Sequence, residues 1–337
     1  MRTVSSILMQ KDVPFELIVV DDASSDSTDA LIETLISQSE FFGKFSLVRH
    51  EKNLGLSMSL NDGIQRAKGN FVLILHQDCE LVGADWIKRA LFLMKSERVA
   101  VVTGYYGISD ATDESFVKRA FGVLRKQFHS RPEVTCEETT FSEGKCDLYR
   151  LSYLLKVGGF PIDYHIAGED LVVSYKLRIM GFSILKCYDL HVVQRFGGSA
   201  ETFGGNIGKE FLFGKVTGGV FSQFGLFLFS GLKNSRYSRS RSLHRAFQPV
   251  SAFILTSLLM FTFLFSWWFV LALVGFFIMR LLYYVIRVFG ELRVYANPLR
   301  HSRWDSLIIA FVGILTDYSY TLGFIYGSLW YSLGRKL

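Results

Sequence analysis

Short apolar runs of strand length alternate with amphipathic segments of helical period over the first part of the chain. Glu16-Leu17-Ile18-Val19-Val20 is a β-branched strand that enters the acidic turn Asp21-Asp22-Ala23-Ser24-Ser25-Asp26-Ser27-Thr28, and a helix through Leu31 to Ile36 follows. A strand around Phe45 to His50, a loop at Glu51-Lys52-Asn53-Leu54-Gly55 and a helix from Ser57 to Ala67 come next, before Lys68-Gly69-Asn70 turns the chain into the apolar run Phe71 to Leu75. Further on, the pattern predicts a helix over Trp86 to Lys95, strands over Val99 to Gly104 and Lys145 to Arg150, a short helix over Leu151 to Val157 and a turn at Gly158-Gly159-Phe160-Pro161. A helix from Leu171 to Met180 and a last strand over Ser183 to Tyr188 complete the series, and Met1 to Gln10 reads as the end of a helix. Strand alternating with helix at this spacing predicts an α/β fold with a doubly wound, mostly parallel sheet. The polar stretch from Gly107 to Ser142 gives little signal.

The pattern changes toward the C-terminus. Phe211 to Leu232 is rich in Phe and Gly, too glycine-broken for a membrane span, and is expected to lie at an interface. Residues 250 to 279 carry no charge; about 30 residues at about 1.5 Å each reach roughly 45 Å, too long for one hydrocarbon core of about 30 Å. Two spans sharing a turn near Ser266-Trp267-Trp268 are therefore expected, with a third over Ser306 to Leu333 that carries one charge, Asp317. The alternative, a buried helical core of a soluble domain, conflicts with helices that stay uncharged for so long. Counted along these spans, Arg280 and Asp317 reach similar depths. A buried ion pair or shared water between them is expected; otherwise Arg280 snorkels to the interface and Asp317 bonds to a nearby Tyr or Ser. The resulting organisation is an α/β domain over residues 1–205, an interfacial and basic linker over 206–249, and a transmembrane region of about three helices over 250–337.

Composition supports this division. Half of the residues are hydrophobic and 31 are Phe, a high share for a soluble enzyme. The net charge of +6 owes much to Lys233, Arg236, Arg239, Arg241 and Arg245, a run without one acid. Beside apolar helices it reads as a cytoplasmic, lipid-facing collar, and no nucleic-acid reading module accompanies it. Cys79, Cys136, Cys146 and Cys187 form no CxxC pair or zinc spacing and are expected to be reduced thiols in the cytosol.

The candidate chemistry starts where the apolar run Phe71 to Leu75 ends in His76-Gln77-Asp78-Cys79-Glu80. Ligands in open α/β sheets bind beyond the carboxyl ends of strands, and acids at i and i+2 on a turn can converge on a hard cation such as Mg²⁺ or Mn²⁺. Equally, Asp78 could cap the helix near Ala84 or Asp85, with Glu80 solvated. Glu169-Asp170 opens a helix after Gly168, where two adjacent acids raise each other's pKa, which suits a general base; a plain charge pair at a helix N-terminus is the alternative.

Several of these motifs, in this order, resemble the family 2 glycosyltransferases of the GT-A fold, inverting enzymes that use nucleotide-sugar donors. Val19 to Thr28 looks like their first acidic turn. Asn53-Leu54-Gly55-Leu56, Asn61-Asp62-Gly63-Ile64 and Ala67-Lys68-Gly69 look like their asparagine-glycine helix signature, and Asp78-Cys79-Glu80 is similar to their metal-binding DxD. Gly158-Gly159-Phe160 and Gly168-Glu169-Asp170 resemble the acceptor-side turn and the acidic pair of the catalytic helix. The resemblance implies Asp170 as the general base with Glu169 beside it. It implies donor binding by Asp21, Asp22, Asn53, Gly55 and Asp78, and Mg²⁺ or Mn²⁺ held by Asp78, Glu80 and, near the end of the last strand, His191. Counting back from Ser199, the family's spacing for that histidine falls instead on Gln194. The family's usual first strand has no counterpart before Glu16, so a gap is expected beside Glu16 to Val20. A nucleotide-sugar donor, a lipid-linked acceptor such as a polyprenyl phosphate or lipid-linked glycan, and a multi-pass membrane location with a cytoplasmic catalytic domain follow as expectations. A processive polysaccharide synthase should carry a Gln-x-x-Arg-Trp element, where this chain has Gln194-Arg195 and a distant Arg303-Trp304. A non-catalytic scaffold is opposed by the intact Asp22, Asp78 and Asp170.

Overall fold

The computed structural model describes residues 2–26, 28–39, 44–107, 117, 121, 135–164, 168–194, 202–225, 248–260, 268–294 and 303–334. Ser27, most of the polar stretch between Gly107 and Ser142, Ser199, the basic run from Lys233 to Arg245 and the turn at Ser266-Trp267 lie outside the described residues.

The chain forms α1 (Arg2–Leu8), β1 (Leu17–Asp21), α2 (Thr28–Ser37), β2 (Phe45–Arg49), α3 (Leu56–Arg66), β3 (Phe71–Leu75), β4 (Cys79–Leu81), α4 (Trp86–Leu93) and β5 (Val99–Gly107). These are followed by β6 (Cys136–Thr139), β7 (Cys146–Arg150), α5 (Leu151–Lys156), α6 (Glu169–Ile179), β8 (Ser183–Gln194) and α7 (Phe203–Phe224). The last helices are α8 (Gln248–Met260), α9 (Trp268–Val294) and α10 (Arg303–Ser332).

The strands form two sheets. β1 and β2 pair in parallel, and a six-stranded sheet runs β3-β7-β5-β8-β4 with β6 also on β8. The expectation of a mostly parallel sheet is corrected. β7 lies between β3 and β5 and runs against both, β4 and β6 run against β8, and in this sheet β5 with β8 is the parallel pair. An apolar run reads the same whichever way its neighbour points, and β4 begins at Cys79, directly after Asp78. Glu80 accordingly lies in a strand and not on a turn.

Among the described residues no strand pairing joins β1 to β3, which matches the expected gap beside Glu16 to Val20. Side chains connect the two sheets instead. The Glu16 carboxylate accepts the Lys68 and Gly69 N–H groups at 2.6 and 3.2 Å, and Ile7 of α1 packs against apolar clusters on both sides of the gap.

Alternation along each strand fills both faces of the large sheet. Val102, Leu148 and Cys146 meet Trp86 and Ala90 of α4 and Met94 at its C-terminal end. Val101, Tyr149, Ile74 and Ile184 meet Val173 and Leu177 of α6 and Leu154 of α5. Leu154, Leu177 and Ile184 are fully buried, and each contributes roughly 1.5–3 kcal/mol to folding.

The reading of four reduced thiols is corrected for two of them. β6 and β8 set Cys136 directly opposite Cys187, with Cα atoms 4.1 Å apart, and the pair is a disulfide. That proximity comes from strand register across 51 residues, which spacing along the chain does not reveal. Cys79 and Cys146 are free and buried.

The glycines of Phe211 to Leu232 do not break the helix expected to lie at an interface; most of that stretch is the continuous α7. Gly214 and Gly218 of α7 lie against the Tyr320 and Phe324 carbonyls of α10, while Gly323 and Gly327 of α10 lie against the Phe211 and Lys215 carbonyls of α7. Each helix thus presents a Gly-x-x-x-Gly row to the other, the arrangement that lets membrane helices approach backbone to backbone. Among the described residues one helical segment, Ile308–Ser332, is long and apolar enough to cross a membrane, while Gln248–Met260 and Val270–Ile286 are shorter apolar helices. Arg280 of α9 donates through Nε to Asp317 Oδ2 of α10 at 3.0 Å, so the expected ion pair forms.

Candidate active site

Strand directions bring several chain segments to one sheet edge. β7 runs against β3 with Cys146 opposite Leu75, so the turn preceding β7 lies at the carboxyl end of β3. β5 runs against β7 with Thr103 opposite Asp147, and β8 runs with β5, which brings the second half of β8 to the same edge. Asp78, the 143–145 turn, His191 and Gln194 fall there. α6 begins at this edge too, because Asp170 rests against Gly144: a Cβ built on Gly144 would stand 2.9 Å from Asp170 Cβ.

The acids after β1 are occupied in ways the sequence does not reveal. Asp21 is buried, accepts the Ser24 N–H at 3.0 Å and lies 3.6 Å from Arg49 Nε. Asp22 accepts the Leu54 and Gly55 N–H groups at 2.7 and 2.8 Å and meets His50 Nδ1 at 2.8 Å. His50 Nε2 meets Asp62 of α3 at 2.8 Å. Burial pulls the Asp22 carboxyl up, but the Leu54 amide, His50 and the Gly55 amide outweigh it and hold the group below the usual carboxylate range. The bond to Asp22, joined by Asp62, raises His50 above its ordinary value. Asp22 therefore ties down the loop that leads into α3, where Gly55 is the N-cap at φ 87° and Asn53 is exposed. Two motifs of the family pattern dock on each other next to this loop: Asn61 Nδ2 donates to the Phe160 carbonyl at 2.7 Å and Asn61 Oδ1 accepts the Phe160 N–H at 2.8 Å.

At the end of β3, Asp78 Oδ2 accepts from Gln194 Nε2 at 2.8 Å, and Gln194 Oε1 accepts from Lys145 Nζ at 2.8 Å. Gln194 and Lys145 are site residues that motif reasoning missed; the count back from Ser199 that lands on Gln194 was the available signal. Glu80 pairs with Val193 and Cys79 with Gln194, so alternation puts Glu80 and His191 on one sheet face and Gln194 on the other. The His191 ring packs 5.8 Å from the Tyr105 ring, edge to face. Among the described residues no three His, Cys, Asp or Glu groups cluster tightly enough to cage a metal. The donor set nevertheless fits Mg²⁺ or Mn²⁺, which take hard oxygens, settle for one or two protein carboxylates and complete their shell with phosphate and water. Gln194 offers Asp78 a neutral amide and leaves its carboxylate charge uncompensated by that contact.

The acids opening α6 are set against α7. Gly168, the N-cap, has φ 98°, and a Cβ there would clash with Val216 of α7, so helix start and α7 touch. Phe141, Tyr164, Leu171, Val172 and Tyr175 continue that contact against Val216 and Val220. Glu169 is 4% exposed and its Oε2 has no hydrogen-bond partner. Burial, helped by the adjacent Asp170 charge, pushes Glu169 up to about 8. Asp170 is half-buried and its Oδ1 accepts the Leu171 N–H at 2.7 Å.

Residues 1–158 match the family model described as Glycosyl transferase family 2. The chain is 36% identical over 213 residues to the uncharacterized protein MT1568 of Mycobacterium tuberculosis, covering 60% of this chain and 64% of that protein. It is 25% identical over 190 residues to the poly-beta-1,6-N-acetyl-D-glucosamine synthase of Staphylococcus aureus, covering 54% of this chain and 43% of that protein. The chain thus spans less than two thirds of the length of either relative. Among solved structures, a mannosyltransferase of Pyrobaculum calidifontis, PcManGT, in complex with GDP-Man and Mn²⁺, superposes with a TM-score of 0.57 at 19% identity. The superposition covers 93% of this chain and 82% of that one. The shared fold is the α/β GT-A type with a mixed sheet.

Proposed function

We propose, from the match of residues 1–158 to the glycosyl transferase family 2 model, that this chain is an inverting glycosyltransferase that moves one sugar from a nucleotide-sugar donor to a lipid-linked acceptor at a membrane surface. One observation carries the acceptor assignment. The start of α6, with Glu169 and Asp170, packs on α7, and α7 is locked by paired Gly-x-x-x-Gly rows to α10, the helix apolar enough to cross a membrane. A headgroup projecting from the bilayer along α7 meets Asp170 without leaving the lipid.

With a lipid-linked glycan as acceptor, Asp170 takes the proton from its hydroxyl as that oxygen attacks the anomeric carbon in line; the oxygen of a polyprenyl phosphate is already ionised near neutral pH and attacks without a base. Glu169, neutral in its buried place, leaves Asp170 as the charged member of the pair. Asp22, through Leu54 and Gly55, holds the loop bearing Asn53, and this loop together with Asp21 encloses the nucleotide. Asp78, with Glu80, would hold the divalent ion, which when bound would supply charge neutralisation for a departing nucleoside diphosphate; Lys145, fixed by Gln194, offers a cation near Asp78. His191 lies beside this site and contributes less than Asp78. The apolar helices α8 and α9 join α10 as further membrane segments, with the transferase domain on the cytoplasmic side.

Full-length protein in vesicles, given a panel of UDP-, GDP- and dTDP-sugars with Mn²⁺ or Mg²⁺, should release nucleoside diphosphate. Release should rise at least about tenfold when a polyprenyl phosphate or lipid-linked glycan is present. Stimulation by a soluble oligosaccharide and by neither lipid would overturn the acceptor assignment. The likeness to the Staphylococcus aureus synthase favours a second reading, processive synthesis; a ladder of long products in the same assay selects it.

A further inference from the structure

The roles above leave a fully buried acid of the large sheet unused. Asp147, the second residue of β7, is 0% exposed and sits opposite Thr103 on the sheet face that α6 covers. Its Oδ2 accepts the Gly144 N–H at 2.7 Å and lies 3.4 Å from the Tyr149 hydroxyl, while Oδ1 has no hydrogen-bond partner. Tyr149 continues the network to Ser142 Oγ at 2.8 Å, and the Ser142 N–H donates to Ser174 Oγ of α6 at 3.0 Å. Burial pushes the Asp147 carboxyl up to about 7; the neighbouring Thr103 hydroxyl and the Gly144 amide pull against the rise, and the Asp170 and Glu143 charges add to it. Carboxylates buried with an oxygen unsatisfied are costly, and an apolar residue of similar size would fit this layer with less penalty.

We infer that Asp147 is a positioning residue that fixes the Asp170 carboxylate in place through the Gly144 turn. Gly144 adopts φ 74°, and a side chain there would stand 2.9 Å from Asp170 Cβ and 3.1 Å from Asp170 Oδ2. The Asp170 side chain therefore rests on the bare backbone of Gly144, and the bond from Asp147 decides where that backbone lies. On the other side of the turn, Glu143 is paired with the buried Lys186 of β8. The turn is thus clamped at both ends, and the side of it that faces α6 is the one Asp170 touches. Displacement of a catalytic group by about 1 Å costs on the order of 10²-fold in rate, which gives the Gly144 hydrogen bond its leverage.

This inference rests on the reading of Asp170 as the base, and two variants separate positioning from bulk structure. Asp147→Asn keeps an oxygen that accepts the Gly144 N–H; Asp147→Leu does not. With the donor that the nucleotide-sugar panel selects, Asp147→Leu should lower kcat about 10- to 100-fold at unchanged donor KM, and Asp147→Asn should stay within about threefold of wild type. Hydrogen exchange of the peptide spanning residues 142–145, measured on the full chain without substrate, should quicken in Asp147→Leu and not in Asp147→Asn. Gly144→Ala, which pushes on Asp170 directly, should lower kcat at constant donor KM even if Asp147→Leu fails to fold. Equal kcat loss in the Asn and Leu variants, unchanged exchange in Asp147→Leu, or wild-type kcat in Gly144→Ala would each overturn the inference. Absence of turnover by wild-type protein with every donor defeats the transferase reading itself, and the exchange experiment still decides whether Asp147 holds the turn.

Discussion

Two regions of this molecule bury carboxylates, and they do so in opposite ways. In the helical region Asp317, 1% exposed, accepts from Arg280 Nε at 3.0 Å, from the Tyr284 hydroxyl at 2.6 Å and from Ser251 Oγ at 3.2 Å. Both of its oxygens have partners, and those partners come from two other helices, α8 and α9. In the transferase domain Glu169 and Asp147 each keep an oxygen with no partner, and burial drives both carboxyls upward. A satisfied buried acid joins helices; an unsatisfied one costs stability, and such acids gather where chemistry needs a shifted proton affinity. The contrast separates a structural clasp from a candidate reaction centre without appeal to any motif.

The largest expected effect is at the clasp. Arg280→Ala leaves Asp317 without its charge partner and should cost about 3–5 kcal/mol. Replacing both residues together, Arg280→Met with Asp317→Leu, should cost less than either single change. Thermal unfolding in detergent checks this, and a double variant as unstable as the sum of the singles would mean that the two residues act independently.

The unsatisfied acids should make the transferase domain less stable as pH rises. Asp147 and Glu169 bind protons more tightly folded than unfolded, so each loses stability from about pH 4 up to its folded value of about 7 or about 8. His50 acts in the same direction, since its folded pKa lies above the ordinary 6.5. Its contribution is complete below that value and is lost as pH rises through the folded one. Asp22, held low, supports the fold above 3.8 and withdraws that support only as pH falls through its folded value. The unfolding temperature should therefore peak near about pH 4 and fall toward about pH 9 by several degrees, and Glu169→Gln should flatten the decline. A maximum above pH 8 would contradict the assignment of these groups.

The smallest effect is expected at a paired acid inside the transferase domain. His50→Gln removes the imidazole between Asp22 and Asp62 but retains a hydrogen-bonding group, and should cost about 1 kcal/mol. Donor affinity should weaken a few-fold, because the Leu54–Gly55 loop keeps its two amide bonds to Asp22.

Periodicity located nearly every strand and helix of the first 194 residues, and the reasons for the misses are specific. Gln194, Lys145 and Asp147 are polar residues within or at the end of strands, where alternation says nothing about partners; Gln194 meets Asp78 across 116 positions. Strand direction was misjudged because an apolar run looks the same whichever way its neighbour points, and β7 enters between two strands that precede it in the chain. The glycines of α7 counted against a helix when read singly. Their spacing of four matched a second row in α10 more than 100 residues away, and only both rows together explain the close crossing. The acids of the family pattern were legible because each follows a strand or opens a helix. What their oxygens bond to was not, since that depends on register.

Comparing Asp78→Ala with Asp170→Asn tests the division of labour at the sheet edge most directly. Donor Kd by calorimetry and transfer kcat, both with Mn²⁺ present, are measured on the full-length protein in vesicles. Asp78→Ala should weaken donor binding at least about tenfold and abolish metal-dependent turnover, while Asp170→Asn should bind donor within about twofold of wild type and lose on the order of 10²–10⁴ in kcat. Equal loss of donor affinity in the two variants would contradict it.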